Sequence, residues 1–199
     1  MKEFKLTGSL RTESGKKIAK KLRKDNCLPA ILYGGKENIL LSLVERDLKD
    51  LIYTPIVYMI DLKVEKKSYK AIVKEMQFHP ITDRVLHVDL LEVSDDKKIT
   101  VSLPIKLVGA SEGAKQGGKL SLTTRKIRAN GFPKDLPEII EVDVTDLGLG
   151  KSRLVEDLKF EKFEIIEPKS TVIASVKLTR AAKGAAQAAT SSPADEVKL

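Results

Sequence analysis

Short segments in which apolar and polar residues alternate follow one another along most of this 199-residue chain. A period of two places every second side chain on one face of a β-strand, and here it coincides with many β-branched residues. Strands are predicted in the first half over 4–10, 30–33, 39–43, 56–64, 68–78, 85–93 and 99–108. Further strands are predicted over 119–124, 126–129, 139–144, 160–166 and 171–178. We therefore expect a mainly β protein.

A charged break over 94–98 interrupts the alternation, and strands resume after it. The break predicts a boundary between a first domain, 1–93, and a second domain, 94–179. Residues 180–199 are small and polar and have no apolar face, so they predict a disordered tail. Pro104 lies inside a predicted strand and indicates an edge or a bulge.

The turns and a second helix follow from local residue types. Gly34-Gly35 and Lys66-Lys67 separate apolar runs and predict hairpin turns, the first because glycine adopts positive φ at low cost. Over 44–53, apolar residues recur at i, i+4, i+7 and i+8, which predicts a helix packed on the core. Thr54-Pro55 should end it.

A basic helix is predicted shortly before the second strand. Lysine and arginine dominate the segment 11–24, which contains one acidic residue, Glu13, and carries most of the chain's net charge of +8. At helical spacing Ile18, Ala19 and Leu22 form a narrow apolar stripe under a wide cationic surface, and Ser14 is placed to cap the first turn. Lysines four residues apart repel one another, so simple solvation explains the pattern less well than an anionic partner such as phosphate.

Several other functions are disfavoured by composition. The single cysteine, Cys27, excludes an intramolecular disulfide and suggests a reducing compartment, while His79 and His87 are too few for a zinc site. The sequence shows neither a secretory h-region nor a run of about 18 apolar residues, which predicts a cytoplasmic protein without membrane contact. We expect no metal, no cofactor and no small-molecule substrate.

One segment approaches a nucleotide-binding motif. Residues 113–120, GAKQGGKL, nearly spell a phosphate-binding loop, but Leu120 replaces the magnesium-binding hydroxyl and a strand pattern follows where a helix is required. A flexible basic loop is the better interpretation. The acidic residues of 138–146 fit a solvated strand face better than a catalytic pair, and no nucleophile and base occur at motif spacing, so an enzyme is not predicted.

Two blocks of sequence point to a known family. The first contains Arg11, Gly15-Lys16, Lys20-Lys21-Leu22-Arg23, Leu28-Pro29-Ala30 and Tyr33-Gly34-Gly35, and the second contains Gln77-Phe78-His79-Pro80 and Leu86-His87-Val88-Asp89. Together they resemble the bacterial family of large-subunit ribosomal protein twenty-five. A second β-rich segment and a small-residue tail resemble its long form, also called general stress protein CTC.

The resemblance implies a fold, a partner and a set of contacts. The first domain should be a small closed β-barrel with short helices that binds 5S ribosomal RNA, and the second a mostly antiparallel β domain near other large-subunit ribosomal proteins. The implied RNA-binding residues are Arg11, Lys16, Lys20, Lys21, Arg23, Tyr33, Gly34, Gln77, His79, Arg84, His87 and Asp89. The family often has arginine where Lys20 and Lys21 stand, and lysine lacks the bidentate fork of arginine.

The residues themselves add two details and leave one alternative open. His87 and Asp89 are two apart on a predicted strand, so they share a face where they can meet ribose or base edges, whereas His79 before Pro80 fits a structural role better. The leading prediction is a non-catalytic component of the large ribosomal subunit. The alternative is a stress-linked scaffold whose second domain recruits a protein partner.

Overall fold

The computed structural model describes residues 1–35, 37–65 and 67–179. Its contacts divide the chain into two compact units. The first unit consists of Met1–Pro104, Arg128–Ile139 and Glu161–Glu164, and the second of Ile105–Ile127, Ile140–Phe160 and the described residues from Ile165 onward. Because these units are not two consecutive segments, the division after residue 93 stays a prediction. The predicted tail 180–199 lies outside the described residues, as does part of the predicted turn at Lys66-Lys67.

Six strands form a closed barrel in the order β1-β3-β2-β6-β5-β4. They are β1 (Lys2–Leu10), β2 (Cys27–Tyr33), β3 (Ile39–Val44), β4 (Tyr58–Val64), β5 (Lys67–Phe78) and β6 (Val85–Glu92). Alternation directs one side of each strand inward, and buried leucine, isoleucine and valine side chains fill the interior. The mainly β fold is confirmed, as is the closed first barrel that the family resemblance implied.

The barrel closes through two parallel pairs. β1 pairs in parallel with β4, and β2 pairs in parallel with β6, whereas β1–β3, β2–β3, β4–β5 and β5–β6 are antiparallel. The last strand of the barrel in sequence, β6, therefore lies between β2 and β5. The register between β5 and β6 shifts near Lys74 and again near Phe78, an irregularity of the kind that a β-bulge produces.

The basic helix α1 covers Lys16–Lys24 and packs on β2. Its N-cap is Gly15, with φ of 133° and no side-chain hydrogen bond, so the prediction of a Ser14 cap was wrong. Glycine takes this dihedral at low cost and sets the entry of the chain instead.

The second predicted helix is divided. A 3₁₀ turn, Glu45–Leu48, precedes α2, Lys49–Tyr53, and the chain becomes extended at Thr54 as predicted. Leu48 and Leu51 are buried in the barrel core, which confirms a core-facing element. Val44 is 44% exposed and belongs to β3, so it is not part of the core-facing side of this element, contrary to the prediction.

The remaining strands form two further sheets, ordered β10-β7-β9-β12 and β11-β13-β8. The strands are β7 (Ile99–Val108), β8 (Lys119–Leu122), β9 (Lys126–Gly131), β10 (Ile140–Asp143), β11 (Ser152–Leu154), β12 (Glu164–Ile165) and β13 (Val172–Lys177). β7 and β10 are parallel, and β13 is antiparallel to β8 and β11. β11 was not predicted, and β12 is much shorter than predicted. Pro104 lies in an internal strand rather than an edge, one residue before the register with β10 begins at Ile105.

The predicted flexible loop near residue 113 is instead ordered. A short helix α3, Glu112–Lys115, follows Ser111, whose side chain accepts a hydrogen bond from the Ala114 N–H. A Cβ at Gly113 or Gly118 would lie within 2.6 Å of neighbouring atoms, so the glycines permit close packing. Neighbouring protein atoms fill the space beside both glycines.

Candidate nucleic-acid interface

The basic helix presents an unneutralised lysine surface. Lys16, Lys17, Lys20, Lys21 and Lys24 are all exposed, and its first turn contains no acidic residue. Within the described part of the chain, no ion pair involves any of these lysines. Five ammonium groups on nine residues therefore attract an external polyanion.

Arg23 fixes this helix to the barrel. Its Nε donates a hydrogen bond to the carbonyl oxygen of Leu86 at 3.0 Å, a partly buried contact between α1 and β6. Leu86 immediately precedes His87, so the bond places the lysine surface beside the strand that carries the predicted His-Asp pair. The predicted RNA ligand Arg23 thus has an internal partner through one of its nitrogens.

The outward sides of β2, β5 and β6 form what we call the outer face, which carries Tyr33, Gln77, His87 and Asp89. Gln77 lies opposite His87 in the β5–β6 register, and Asp89 lies opposite Glu75. Val88 and Leu90, which alternate with these polar residues on β6, are buried in the core. Pairing of β2 with β6 also places Tyr33 on the same face as His87 and Asp89, which are more than fifty residues away in sequence.

His87 and Asp89 are paired directly. The His87 Nδ1 lies 2.6 Å from Asp89 Oδ1, and the two side chains are 24% and 28% exposed. The pair confirms that the two residues share one face. When the imidazole is neutral, the carboxylate selects the tautomer in which Nδ1 carries the proton, which leaves Nε2 as an acceptor for a ligand.

Tyr33 lies at the other end of this face. Burial raises the pKa of its phenol, and the negative charges of Asp89 and Glu75 raise it further. The phenol is therefore protonated at neutral pH and remains a hydrogen-bond donor. The next residue, Gly34, has φ of 94°, and a Cβ there would lie 2.6 Å from Leu91 Cδ1, so this turn requires glycine.

Arg11 lies in a row of paired residues that crosses several strands on the outside of the barrel and reaches Asp89. Its backbone N–H donates to the Leu40 carbonyl at 2.9 Å, which extends the β1–β3 register by one residue. Leu40 is opposite Ile31, and Ile31 is opposite Asp89. The Arg11 Nε is buried and has no hydrogen-bond partner among the residues that the structure describes. Such an unsatisfied donor is costly and favours a site that a ligand completes.

His79 organises the loop between β5 and β6. Its Nδ1 accepts hydrogen bonds from the Ile81 and Thr82 N–H groups, both at 3.3 Å. Its backbone N–H donates to the Arg84 carbonyl at 2.8 Å. This geometry supports the structural interpretation of His79 that the following proline suggested, because Nδ1 is engaged within the loop.

Arg84 is held by two residues from other segments of the chain. Its Nη2 lies 2.6 Å from Glu45 Oε2 and 3.3 Å from Asn26 Oδ1, and its Nε lies 3.3 Å from Glu45 Oε1. The hydrogen bond and charge of Glu45 raise the pKa of Arg84 above its ordinary value. Neither Glu45 nor Asn26 was predicted, because they lie 39 and 58 positions before Arg84 in the sequence and no local pattern connects them to it.

Glu75 was not predicted either, although its position two residues before Gln77 on one strand would have placed it on the outer face. Other kinds of site are not seen: no group of three or more His, Cys, Asp or Glu within the described residues is placed to hold a metal ion. Among those residues, no helix combines the length and apolar character needed to cross a bilayer.

Comparison with known proteins identifies the family. The Ribosomal L25p family model matches residues 6–90, and the model of the ribosomal protein TL5 C-terminal domain matches residues 98–180. Large ribosomal subunit protein bL25 of Porphyromonas gingivalis (strain ATCC 33277) is 48% identical over 188 residues, which cover 94% of this chain and 98% of that protein. The bL25 of Phocaeicola vulgatus is 43% identical over 196 residues, which cover 95% and 99% of the two chains. The chain therefore belongs to the bacterial bL25 family of large-subunit ribosomal proteins and, because both domain models match, to its long form.

Proposed function

We propose that the first unit of this protein binds 5S ribosomal RNA through the basic helix and the outer face of the barrel. More broadly, the protein is a structural component of the large ribosomal subunit, among ribosomal RNA and other proteins, and not an enzyme. The observation that carries the finer proposal is the Arg23–Leu86 hydrogen bond. It joins an unneutralised lysine surface to the strand that bears the His87–Asp89 pair.

The two parts of the interface have different tasks. The lysines of α1 neutralise phosphates and release condensed counterions, which provides affinity without reading sequence. The outer face, in contrast, carries the carboxylates of Asp89 and Glu75, which repel phosphate. This face therefore suits ribose hydroxyls and base edges, with the Tyr33 phenol as a donor and His87 Nε2 as an acceptor.

The shape of RNA favours an irregular target. The major groove of a regular RNA helix is too deep and narrow for side chains to read. A helix and a sheet face side by side match an internal loop, where non-standard pairs open the groove and the flanking phosphates remain close. This requirement favours a folded RNA such as 5S ribosomal RNA over a uniform duplex.

The test is a binding measurement with 5S ribosomal RNA and with transfer RNA over a range of salt concentrations. We expect a marked preference for 5S RNA and an affinity that falls as salt rises. Equal binding to both RNAs would contradict the proposal.

A charge-reversal pair tests the helix itself. Lys20→Glu with Lys21→Glu should lower affinity by about 100-fold at low salt and reduce the salt slope by about 1.5, since each lost phosphate contact removes ~0.7–0.9. The matched control is Lys63→Glu with Lys67→Glu, which changes net charge equally on exposed residues of β4 and β5. If both pairs weaken binding to the same extent, only net charge matters and the helix has no special role.

A further inference from the structure

Three segments meet around Arg84 at one end of the barrel. Asn26 connects α1 to β2 and has a positive φ of 55°, and Glu45 begins the 3₁₀ turn after β3. Arg84 ends the β5–β6 loop, directly before β6. The backbone N–H of Glu45 also donates to the Asn26 carbonyl at 3.0 Å. Arg84, Glu45 and Asn26, which we call the latch, therefore connect the exits of α1 and β3 to the start of β6.

The chemistry of this contact suits positioning rather than phosphate binding. Two nitrogens of the planar guanidinium meet both oxygens of the Glu45 carboxylate, a fork that fixes orientation as well as distance. The carboxylate also cancels the charge that Arg84 would offer to a phosphate. Although the Arg84 side chain is 52% exposed, its Nε and Nη2 donate to Glu45 and Asn26.

The position of the latch links it to the RNA interface. Arg84 is two residues before Leu86, which receives the Arg23 hydrogen bond from α1, and three before His87. A displacement at the start of β6 therefore moves the support of the lysine surface and the paired histidine together. The loop before it is closed by the His79–Arg84 and Asp83–His79 backbone bonds, so its geometry also depends on where Arg84 is held.

We propose that Arg84 is a positioning residue of the RNA interface, which Glu45 and Asn26 hold so that α1 and the outer face keep the spacing that RNA requires. This inference rests on the proposed function, and it differs from the direct RNA contact that family resemblance implies for Arg84. It assigns a role to Glu45 and Asn26, an acidic and a neutral residue that a search for RNA ligands would overlook.

Positioning and direct contact with a phosphate predict opposite effects of Glu45→Gln on RNA binding by the full chain. If Arg84 is a positioning residue, Glu45→Gln and Arg84→Gln should each weaken 5S RNA binding by about fivefold, which corresponds to ~1 kcal/mol. The salt dependence of binding should keep the same slope. If Arg84 contacts a phosphate, Glu45→Gln should strengthen binding by releasing the guanidinium, and Arg84→Gln should lower the slope by ~0.7–0.9. Either of these latter results overturns the proposal.

A charge swap provides the second test. Glu45→Arg combined with Arg84→Glu should recover binding relative to either single reversal, because the ion pair is rebuilt and the Asn26 amide can donate instead of accept. A double variant weaker than both single variants would contradict positioning.

Hydrogen exchange in the free protein separates this inference from the proposed function. Arg84→Gln and Glu45→Gln should accelerate exchange of the His79 and Asp83 amides, while buried amides of β4, such as Ile60, should be unaffected. If the wild-type protein does not bind 5S RNA, the proposed function fails, but this measurement still tests the latch. Unchanged loop exchange in both variants would refute it.

Discussion

The carboxylate of Asp89 lies 2.6 Å from the His87 ring nitrogen and also raises the pKa of Tyr33. One side chain thus sets the hydrogen-bonding state of two neighbours. It helps to keep the phenol a donor, and when the imidazole is neutral it leaves Nε2 as the acceptor. The three residues together provide a donor and an acceptor within a region that phosphate avoids.

The Tyr33 phenol should therefore ionise at a higher pH than that of an ordinary tyrosine, whose pKa is 10.0. Because the folded pKa is the higher one, the unfolded chain loses this proton first, and stability falls as pH rises above that value. Ultraviolet titration of the wild type and of Tyr33→Phe isolates its phenolate signal. Asp89→Asn should move the transition part of the way back, since burial, the larger cause, remains.

Asp61→Asn, a change on β4 that is not among the causes of the shift, provides the control for that titration. The explanation fails if Asp89→Asn and Asp61→Asn leave the Tyr33 transition at the same pH.

At the scale of elements, alternation and helical spacing predicted most of what the structure contains. The barrel strands and α1 follow from local pattern because burial of one face dominates their energetics. Elements stabilised by few residues were missed, such as β11, or misjudged, such as β12 and the helix that begins as a 3₁₀ turn. For the site, the shared face of His87 and Asp89 followed from period two. The internal partners of Arg84 and Arg23 did not, because they depend on how distant strands are registered.

The turn after β2 makes a prediction about stability. Gly34→Ala should cost ~2 kcal/mol, because it combines a positive φ with a Cβ that would collide with Leu91. Gly15→Ala is the matched comparison, since φ is also positive there but no atom lies within 4 Å of the added Cβ, and it should cost only ~1 kcal/mol. Denaturant unfolding of the two variants measures the difference, and equal losses would show that the contact with Leu91 is readily relieved.

For the whole molecule, the informative feature is that the barrel closes within the first unit while some of its outward residues are also buried. Ile72 is 0% exposed and Val93 is 6% exposed, yet neither belongs to the cluster that fills the barrel. The hydrogen-bonded ladder of the barrel is thus complete by Glu92, whereas the first unit as a whole also includes Arg128–Ile139 and Glu161–Glu164.

A fragment of residues 1–93 should separate binding from stability. We expect its affinity for 5S RNA to stay within about threefold of that of the full chain, because the proposed contacts all lie before residue 93. Its melting temperature should be lower, because the first compact unit also contains Arg128–Ile139 and Glu161–Glu164, which the fragment lacks. The fragment carrying Lys20→Glu with Lys21→Glu controls for nonspecific attraction. A folded fragment that no longer binds RNA would show that the remainder of the chain takes part directly.

The place of β6 between β2 and β5 has a consequence for biosynthesis. This strand is the last of the six to leave the ribosome that makes the chain, and it carries both His87 and Asp89. Until it inserts, the other five strands form an open sheet with β2 and β5 at its two edges, and Tyr33 and Gln77 lie on opposite edges. Recognition of RNA through this surface would then begin only with a finished domain, and an incomplete copy would be excluded from assembly by its own topology.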